Sequence, residues 1–245
     1  MLEGMYSAAA GMAAQQHRLD ALSNDIANVN TVGYKHLRVA FRDLLYSAAG
    51  PGGLPGNVEG AGAAATVIGR GGAGASYKTT DRPLDVAIEG TGWLQVRRAD
   101  GSVALTRNGQ LTVDGQGRLR ADGLPLQPPV RIPEGVGETD VAISADGAVT
   151  GADGAVLGRI GLVTVAAPDR LQPAGGNLHL PTQASGNPVR AGADARLRQG
   201  LLETSDVDMG TAMTDMMLAQ RSYTLASRAI DMQDQMAQIA NQLKR

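Results

Sequence analysis

The chain has 245 residues, with 22 basic and 24 acidic side chains, a formal net charge of −2 and no cysteine. Because the charge is balanced, neither nucleic acid nor an anionic membrane surface is a favoured partner. The lack of cysteine excludes disulfides, thiolate nucleophiles and thiolate metal sites together. The sequence contains no apolar run of the length, about 18 residues, that a membrane-spanning helix needs, so we expect no membrane insertion.

The first basic residue is Arg18, and the chain begins Met1-Leu2-Glu3. A secretory signal peptide starts with a basic segment ahead of its apolar stretch. We therefore expect no cleaved signal peptide here. If the protein leaves the cytosol, the export route must recognise an uncleaved terminus.

Apolar side chains recur every seven residues between residues 2 and 29. One row consists of Met5, Met12, Leu19 and Ile26, and a second of Ala8, Leu22 and Val29, with Gln15 as an exception. This a/d spacing predicts a helix that pairs with another helix. The run from Asn28 to Gly33 predicts the end of that helix, because Asn and Gly tolerate left-handed capping geometry.

The last 40 residues carry a broader version of the same pattern. Candidate N-caps stand at Thr204, Ser205, Asp206 and Asp208. Four heptad rows follow: Met209, Met216, Tyr223, Ile230, Ala237; Ala212, Ala219, Ala226, Ala240; Leu218, Leu225, Met232, Ile239; and Ala229, Met236, Leu243. At about 100° per residue these rows adjoin and cover nearly half of the helix surface. A two-stranded coiled coil needs only two rows, so this face predicts packing against several helices at once.

The middle of the chain has the pattern of a small, mainly antiparallel sheet domain. Short apolar-rich runs occur at Asp85–Glu89, Trp93–Arg97, Val103–Arg107, Gln110–Val113, Val130–Ile132, Val141–Ile143 and Arg159–Val165. Asp-Gly pairs separate them at 100–101, 114–115, 122–123, 146–147 and 153–154. Asp-Gly supplies the positive φ angles that tight hairpin turns require.

These patterns predict an α+β fold with a discontinuous helical domain. Residues 1–46 and 200–245 form the coiled-coil domain of terminal helices, and residues 77–199 form the β domain, including an extended return segment from 168 that is rich in proline. Residues 47–76 hold ten glycines and two prolines and predict a flexible or irregular linker. If both helices attach at one end of the β domain, they run antiparallel.

Residues 23–35 read Ser-Asn-Asp-Ile-Ala-Asn-Val-Asn-Thr-Val-Gly-Tyr-Lys. Helix capping with a tight exit at Gly33 explains this segment by itself. The segment also resembles the signature of the flagellar rod and hook protein family, with Asp25 where the family often has a second Asn. The matching residues are Asn24, Ala27, Asn28, Thr31, Gly33, Tyr34 and Lys35.

The resemblance extends beyond this motif to both the centre and the C-terminal end. Central segments similar to rod proteins are Arg82–Ile88, Gly92–Val96, Thr106–Gly109 and Gly117–Leu119. Gly200–Asp208 resembles the family's Gly-x-x-Glu-x-Ser-Asn-Val, with Asp206 in place of Asn, and Ala212–Met217 and Gln220–Tyr223 fit its final helix. The stretch from Ser47 to Ser76 has no clear counterpart.

This resemblance implies a structural subunit of the bacterial flagellar basal-body rod. It further implies export through the flagellar type III apparatus, helical homo-polymerisation with neighbouring rod and hook proteins, and a place in the cell envelope. The chain length favours the proximal and distal rod types, between which the sequence leaves the choice open. A hook-type axial protein is the alternative within the family.

The terminal helices are expected to pack between subunits. Apolar burial along either seam alone is too small to offset the entropy of ordering it, so the helices should be marginal in a free monomer and order on assembly. The residues expected at these contacts are Met5, Met12, Leu19, Leu22, Ile26, Met216, Leu218, Tyr223, Leu225, Ile230, Met232 and Ile239.

Parts of the sequence are also compatible with two other classes of function. A carboxylate pair such as Asp85 and Glu89 beside Trp93 could cleave glycans in a peptidoglycan-acting enzyme, but a solvated strand is the favoured interpretation. A secreted coiled-coil binding module would share the helices without the match at both ends. We expect no catalytic residue and no cofactor.

Neither a metal site nor a phosphate loop is favoured by the sequence. The three histidines, His17, His36 and His179, lack ligand spacing and are expected at the surface or in caps. Gly69–Gly74 lacks the Lys-Ser/Thr of a phosphate loop.

Overall fold

The computed structural model describes residues 2–44, 46–48, 58–60, 62–71, 76–192 and 194–243. The two helices are α1 (Leu2–Ala27) and α2 (Met209–Leu243). The strands are β1 (Leu37–Asp43), β2 (Tyr46–Ala48), β3 (Val58–Gly60), β4 (Ala63–Arg70), β5 (Tyr77–Thr79), β6 (Val86–Glu89), β7 (Trp93–Arg97), β8 (Val103–Thr106), β9 (Leu111–Val113), β10 (Leu119–Ala121), β11 (Leu124–Pro125), β12 (Ala142–Ile143), β13 (Ala148–Thr150), β14 (Val156–Arg159), β15 (Leu162–Thr164), β16 (Gln172–Gly175), β17 (Leu178–Leu180), β18 (Val189–Arg190), β19 (Arg196–Gln199) and β20 (Leu201–Glu203). Short 3₁₀ turns occur at Glu138–Asp140 and Pro168–Arg170. The α+β class is confirmed.

The chain forms two compact units, each assembled from separate stretches of sequence. The helical unit consists of Met1–Ala27, Leu37–Ile68 and Asp208–Arg245, and the β unit consists of Asn28–His36 and Gly69–Val207. These bounds differ from the division made on the sequence. Residues 28–36 and 200–207 belong with the β unit because β20 pairs with β5 and because the 28–36 segment bonds to the chain around Glu203.

Part of the segment from 47 to 76 is strand instead of irregular chain. β2 and β3 form an antiparallel hairpin, and β4 pairs with β1 in a two-stranded ribbon of the helical unit. Residues 49–57, 61 and 72–75 of the expected linker lie outside the described residues. The expectation missed β4 because its run of small residues, Ala63 to Thr66, carries little strand pattern.

Within the helical unit, α1 and α2 run antiparallel. Arg18 forms an ion pair with Asp215 at 3.3 Å, while Gly4, at the other end of α1, lies against Gln233. The most deeply buried apolar side chains along the two helices are alanines spaced seven apart: Ala14, Ala21, Ala212 and Ala219. The larger residues of the N-terminal seam, Met5, Met12, Leu19, Leu22 and Ile26, are only half-buried. Small side chains at the contact let the two helix axes approach closely, and the larger ones flank it.

A second apolar stripe on α2 faces solvent. Leu218, Leu225, Met232 and Ile239 are exposed by 49%, 65%, 58% and 56% respectively. Leu225 follows Ala219 by six residues, which places it about 120° around the helix from the buried alanine row. Contact with α1 therefore covers one apolar face of α2 and leaves another open.

The β unit is built from short antiparallel pairings. Its largest sheet has the strand order β16-β17-β8-β7-β15-β18. β6 pairs with β19, β5 with β20, β10 with β9 and β11, and β13 with β12 and β14, all antiparallel. The predicted antiparallel centre is thus confirmed. The return segment from 168 to 199 supplies β16 to β19 to these sheets, so it is more than an extended connection.

Asp-Gly turns connect several of the hairpins, as the sequence predicted. Glycines with positive φ occupy four of the five expected positions: Gly101, Gly123, Gly147 and Gly154. The exception is the turn between β9 and β10. There the positive φ falls on Gly117 instead of Gly115, because the turn closes with the Gly117 N–H donating to the Asp114 carbonyl.

The main core of the β unit joins residues from several of its sheets. Its fully buried members include Leu84, Val86, Ile88, Leu94, Val96, Leu111, Leu119, Leu126, Val130 and Leu197. A second cluster consists of Trp93, Leu105, Val163, Val165 and Leu171. Residues 130–132, expected as a strand, make only an isolated bridge between Arg131 and Arg118.

A substitution at Gly109 tests the close packing between β6 and the turn that follows β8. The Gly109 carbonyl accepts a hydrogen bond from the Val86 N–H at 3.0 Å, and a Cβ added at Gly109 would overlap the Val86 carbonyl oxygen. Gly109→Ala should therefore lower the free energy of unfolding of the β unit by about 3 kcal/mol. Denaturant melts followed by the fluorescence of Trp93, the sole tryptophan, measure this change.

Gly115→Ala is the matched control, because no atom lies within 4 Å of a Cβ added there. Equal stability of the two variants would show that β6 does not approach Gly109 as described.

Candidate functional site

Three charged side chains from distant parts of the sequence meet inside the β unit. The Lys35 ammonium donates to Glu203 Oε1 at 2.7 Å, and Arg107 Nε donates to Glu203 Oε2 at 2.8 Å. The side chains of Lys35, Arg107 and Glu203 are exposed by only 4%, 5% and 2%. We call this arrangement the buried charge cluster.

Arg107 is held by backbone as well as by Glu203. Its Nη1 donates to the carbonyls of Gly90 and Gly92 at 3.1 and 3.0 Å, and its Nη2 donates to those of Ile88 and Gly90 at 3.1 Å. With the bond from Nε, all five guanidinium protons have acceptors. The turn between β6 and β7 is thereby fixed around one side chain. The Arg107 guanidinium carbon also lies 5.7 Å from the centroid of the Trp93 ring.

The backbone of the sequence motif lies against the same cluster. The Gly33 N–H donates to the Glu203 carbonyl at 2.8 Å, and the Asp206 N–H donates to the Tyr34 carbonyl at 3.2 Å. Gly33 has φ +66°, and a Cβ there would lie 2.7 Å from the carbonyl oxygen of Arg107. Glycine is therefore required at this position by both the backbone angle and the space available.

Asp206 adds a second link between these two segments. One carboxylate oxygen accepts from the His36 N–H at 2.7 Å, and the other lies 3.0 Å from His36 Nδ1. His36 is thus a partner of Asp206, which is not a helix cap. Asp208 is the residue that caps α2, because its Oδ1 accepts from the Thr211 N–H at 2.7 Å.

The residues of the motif are divided between the two units. Asn24 and Ala27 lie in the last turn of α1, whereas Asn28, Thr31, Gly33, Tyr34 and Lys35 belong to the β unit. Within the part that belongs to the β unit, the Thr31 N–H donates to the Asn28 carbonyl at 3.0 Å and forms a turn. Asp25 is buried, and its Oδ1 accepts from the Leu37 N–H at 3.0 Å, so this carboxylate fixes the end of α1 to the start of β1.

The expected subunit-packing residues are not brought into this cluster. All of those on α1 are half-buried, as are Met216 and Ile230 on α2. Tyr223 is 37% exposed, and Leu218, Leu225, Met232 and Ile239 form the open stripe described above. Their role in subunit packing stays a prediction.

The sequence does not identify Arg107 and Glu203 as partners of Lys35. The segments that contain all three were singled out, but a pattern of local spacing gives no information on a pairing between residues 168 positions apart. A Lys, an Arg and a Glu in three separate apolar neighbourhoods were the only signal, and each also fits a solvated surface.

Asp85 is buried, so the expectation of a solvated strand near Trp93 is wrong for this residue. Its side chain is 4% exposed and lies 3.8 Å from Arg82, whereas Glu89 is exposed at the far end of β6. Four residues of extended chain place the two Cα atoms roughly 13 Å apart. Asp85 is thus buried while Glu89 is solvated, so the two carboxylates lie in different environments.

His179 also departs from the expected surface position. It is buried on β17 with its ring centroid 5.0 Å from that of Trp93, and neither ring nitrogen has a hydrogen-bond partner among the described residues. Burial, with a smaller contribution from the Arg70 charge, lowers the pKa of His179 from 6.5 to about 4. His179 is therefore neutral at physiological pH.

Three family profiles match successive parts of the chain. The profile described as flagella basal body rod protein matches residues 5–35. That of the flagellar hook protein FlgE/F/G D1 domain matches residues 87–151, and that of the flagellar basal body rod FlgEFG protein C-terminal matches residues 198–243. Lys35, Arg107 and Glu203 fall one in each of the three matched segments.

Curated relatives match the chain over its full length or over about two thirds of it. The flagellar basal-body rod protein FlgG of Borreliella burgdorferi is 34% identical over 264 residues, which cover 100% of both chains. The protein of the same name from Caulobacter vibrioides is 36% identical over 263 residues, covering 99% of this chain and 100% of its own. The flagellar basal-body rod protein FlgF of Escherichia coli is 36% identical over 177 residues, covering 67% and 69%.

The chain belongs to the flagellar basal-body rod protein family. Membership confirms the resemblance inferred from the Asn24–Lys35 motif and from Gly200–Asp208. Among the residues that the structure describes, no helix is long and apolar enough to cross a membrane. Within the same residues, no group of three or more His, Asp or Glu side chains is placed to hold a metal ion.

Removing the shared carboxylate of the buried charge cluster should be severely destabilising. Glu203→Gln leaves Lys35 and Arg107 as two buried cations without a counter-charge, at a cost of about 3–5 kcal/mol. We expect the unfolding free energy of the β unit to fall by this amount. Urea unfolding followed by Trp93 fluorescence measures the change.

Asp146→Asn is the control, because it breaks an ion pair with Arg159 whose side chains are 60% and 50% exposed. It should leave the urea midpoint unchanged. A Glu203→Gln variant as stable as this control would contradict the assigned role of Glu203.

The buried His179 should make stability depend on pH. Its pKa in the folded state lies below its unfolded value, so its favourable contribution is complete above pH 6.5 and is lost as pH falls towards 4. The loss amounts to up to about 3 kcal/mol. His179→Phe keeps an aromatic ring and removes the titrating group, so its unfolding free energy should fall less over this range than that of the unsubstituted chain. Parallel pH profiles for the two proteins would disprove this assignment.

Proposed function

We propose that this chain is a structural subunit of the flagellar basal-body rod. The observation that carries the proposal is its similarity over the full length to proteins named flagellar basal-body rod protein FlgG. A rod protein is favoured over a hook-type axial protein because these relatives match the chain from end to end and are of similar length. The role is mechanical, and the chain contributes to it by polymerising.

Subunit contacts are proposed to lie along the terminal helices. The stripe of Leu218, Leu225, Met232 and Ile239 supports this, because four large apolar side chains about half exposed on one helix face form the kind of patch that marks an interaction surface. Within the terminal ranges 1–46 and 200–245, the parts that belong to the helical unit would then supply the axial core of the polymer. The half-buried seam of α1 would contribute Met5, Met12, Leu19, Leu22 and Ile26. Partners on this surface are further copies of the chain and neighbouring rod and hook proteins.

Export through the flagellar type III apparatus, without cleavage of a signal peptide, is part of the same proposal. The proposed location is the basal body within the cell envelope, which membership in the family supports. The helical ends, half-buried at best along most of their apolar rows, suit a chain that travels unfolded and gains its remaining burial on assembly.

Leu225→Asp tests the proposed contact directly. Leu225 is 65% exposed in the single chain, so the substitution should not change the melting of the monomer. In the polymer it places an unpaired charge in an apolar contact, which costs more than the roughly 2–7 kcal/mol of an unpaired neutral polar group. In the source bacterium we expect loss of swimming in soft agar and absence of complete rods in electron micrographs of isolated basal bodies.

Gln220→Asp is the matched control. Gln220 is also exposed on α2, but it lies about 140° around the helix from Leu225. It should support normal motility. Full motility of Leu225→Asp would exclude the stripe as a subunit contact, whereas loss of motility in both variants would show that any charge added to α2 is harmful.

A further inference from the structure

A cavity of about 200 Å³ lies beside the buried charge cluster within the β unit. The side chains that matter on its wall are Lys35, Arg70, Arg107, Thr91, Trp93 and Asp169. Its volume is several times that of one water molecule, about 30 Å³ in the liquid. It is therefore large enough for a small polyatomic ion.

The charges around this cavity do not balance. Among the described residues, Lys35, Arg70 and Arg107 are cationic, and Glu203 pairs with Lys35 and Arg107. Asp169, on the wall, is a second carboxylate, so three cations face two anions and a single positive charge is left over. Asp169 is exposed and forms no ion pair within the described residues. The Lys35 ammonium is deeply buried and Arg70 is half-buried, and a buried cation without a full counter-charge is costly unless an anion compensates it.

Unused hydrogen-bond donors accompany this surplus charge. The Lys35 ammonium carries three protons, and within the described chain only the one donated to Glu203 has an acceptor. Arg70 donates once, from Nη1 to the Lys35 carbonyl at 3.3 Å, and lies 5.8 Å from the Tyr34 ring centroid. Arg107 has no proton to spare, so Lys35 and Arg70 are the groups able to hold a ligand.

We propose that this cavity binds a small inorganic oxyanion of the phosphate class, held by Lys35 Nζ and the Arg70 guanidinium. Several acceptor oxygens on one small anion match the donors of Lys35 and Arg70, and charge-assisted bonds of this kind are the stronger class. The Thr91 hydroxyl stands on the same wall as a further donor. This site is independent of the helical surface proposed for polymerisation.

Titration of the full chain with potassium phosphate, followed by calorimetry, tests the proposal. We expect saturable binding of one phosphate per chain in a background of 0.15 M potassium chloride, because buried charges are screened little by salt. Arg70→Gln should weaken the affinity on the order of tenfold, the loss expected for a charge-assisted hydrogen bond. Asp169→Asn should strengthen it, because a competing carboxylate leaves the wall.

Arg190→Gln is the control for surface charge, because Arg190 is exposed elsewhere on the β unit. It should bind phosphate as the unsubstituted chain does. The proposal is overturned if no saturable binding occurs, if Arg190→Gln weakens binding as much as Arg70→Gln, or if acetate binds as tightly as phosphate. The last result would assign the cavity to a protein carboxylate. Asp169→Asn alters an exposed side chain, so it keeps the test decisive even if Arg70→Gln fails to fold.

Discussion

The β unit depends on one carboxylate. Among the described residues, Glu203 is the one acceptor shared by Lys35 and Arg107, and its backbone carbonyl accepts from the Gly33 N–H as well. Burial of a carboxylate costs less when both oxygens are paired, as they are in Glu203. In this protein the pairing brings together residues from near the start, the middle and the end of the chain. The buried Glu203 carboxylate therefore links three segments that are distant in the sequence.

This closure has a consequence for how the unit forms. Lys35 and Glu203 are 168 residues apart in the sequence, and Arg107 and Glu203 are 96 apart. Contacts between residues so far apart carry a large loop-closure entropy and form slowly. The hairpins of the centre, such as β7 with β8, close through short turns. We infer that these hairpins form first and that the motif segment with Lys35 docks onto them afterwards.

The parts of the fold that the sequence predicted are those with a local cause. Heptad spacing identified both helices, and Asp-Gly pairs located most of the hairpin turns, because each of these signals acts over a few residues. Burial of polar groups was not predictable in this way. Asp85, His179 and the three residues of the buried charge cluster resemble surface residues in sequence, and only long-range packing places them inside. The same limit explains why the motif around Gly33 was recognised while its partners were not.

The small and the large apolar residues of α2 lie on different faces of the helix. Ala212 and Ala219 meet α1 within the chain, so the small residues of α2 make the intramolecular contact. Its large residues, Leu225 and Met232 among them, stay at the surface. If folding of the monomer were the only requirement on α2, the large side chains would be expected on the buried face, where each contributes more apolar area. Their position on the open face supports the proposal that this part of the helix surface is covered by a neighbouring subunit. The alanine contact sets the direction of α2 next to α1, and the larger residues remain available to neighbouring subunits.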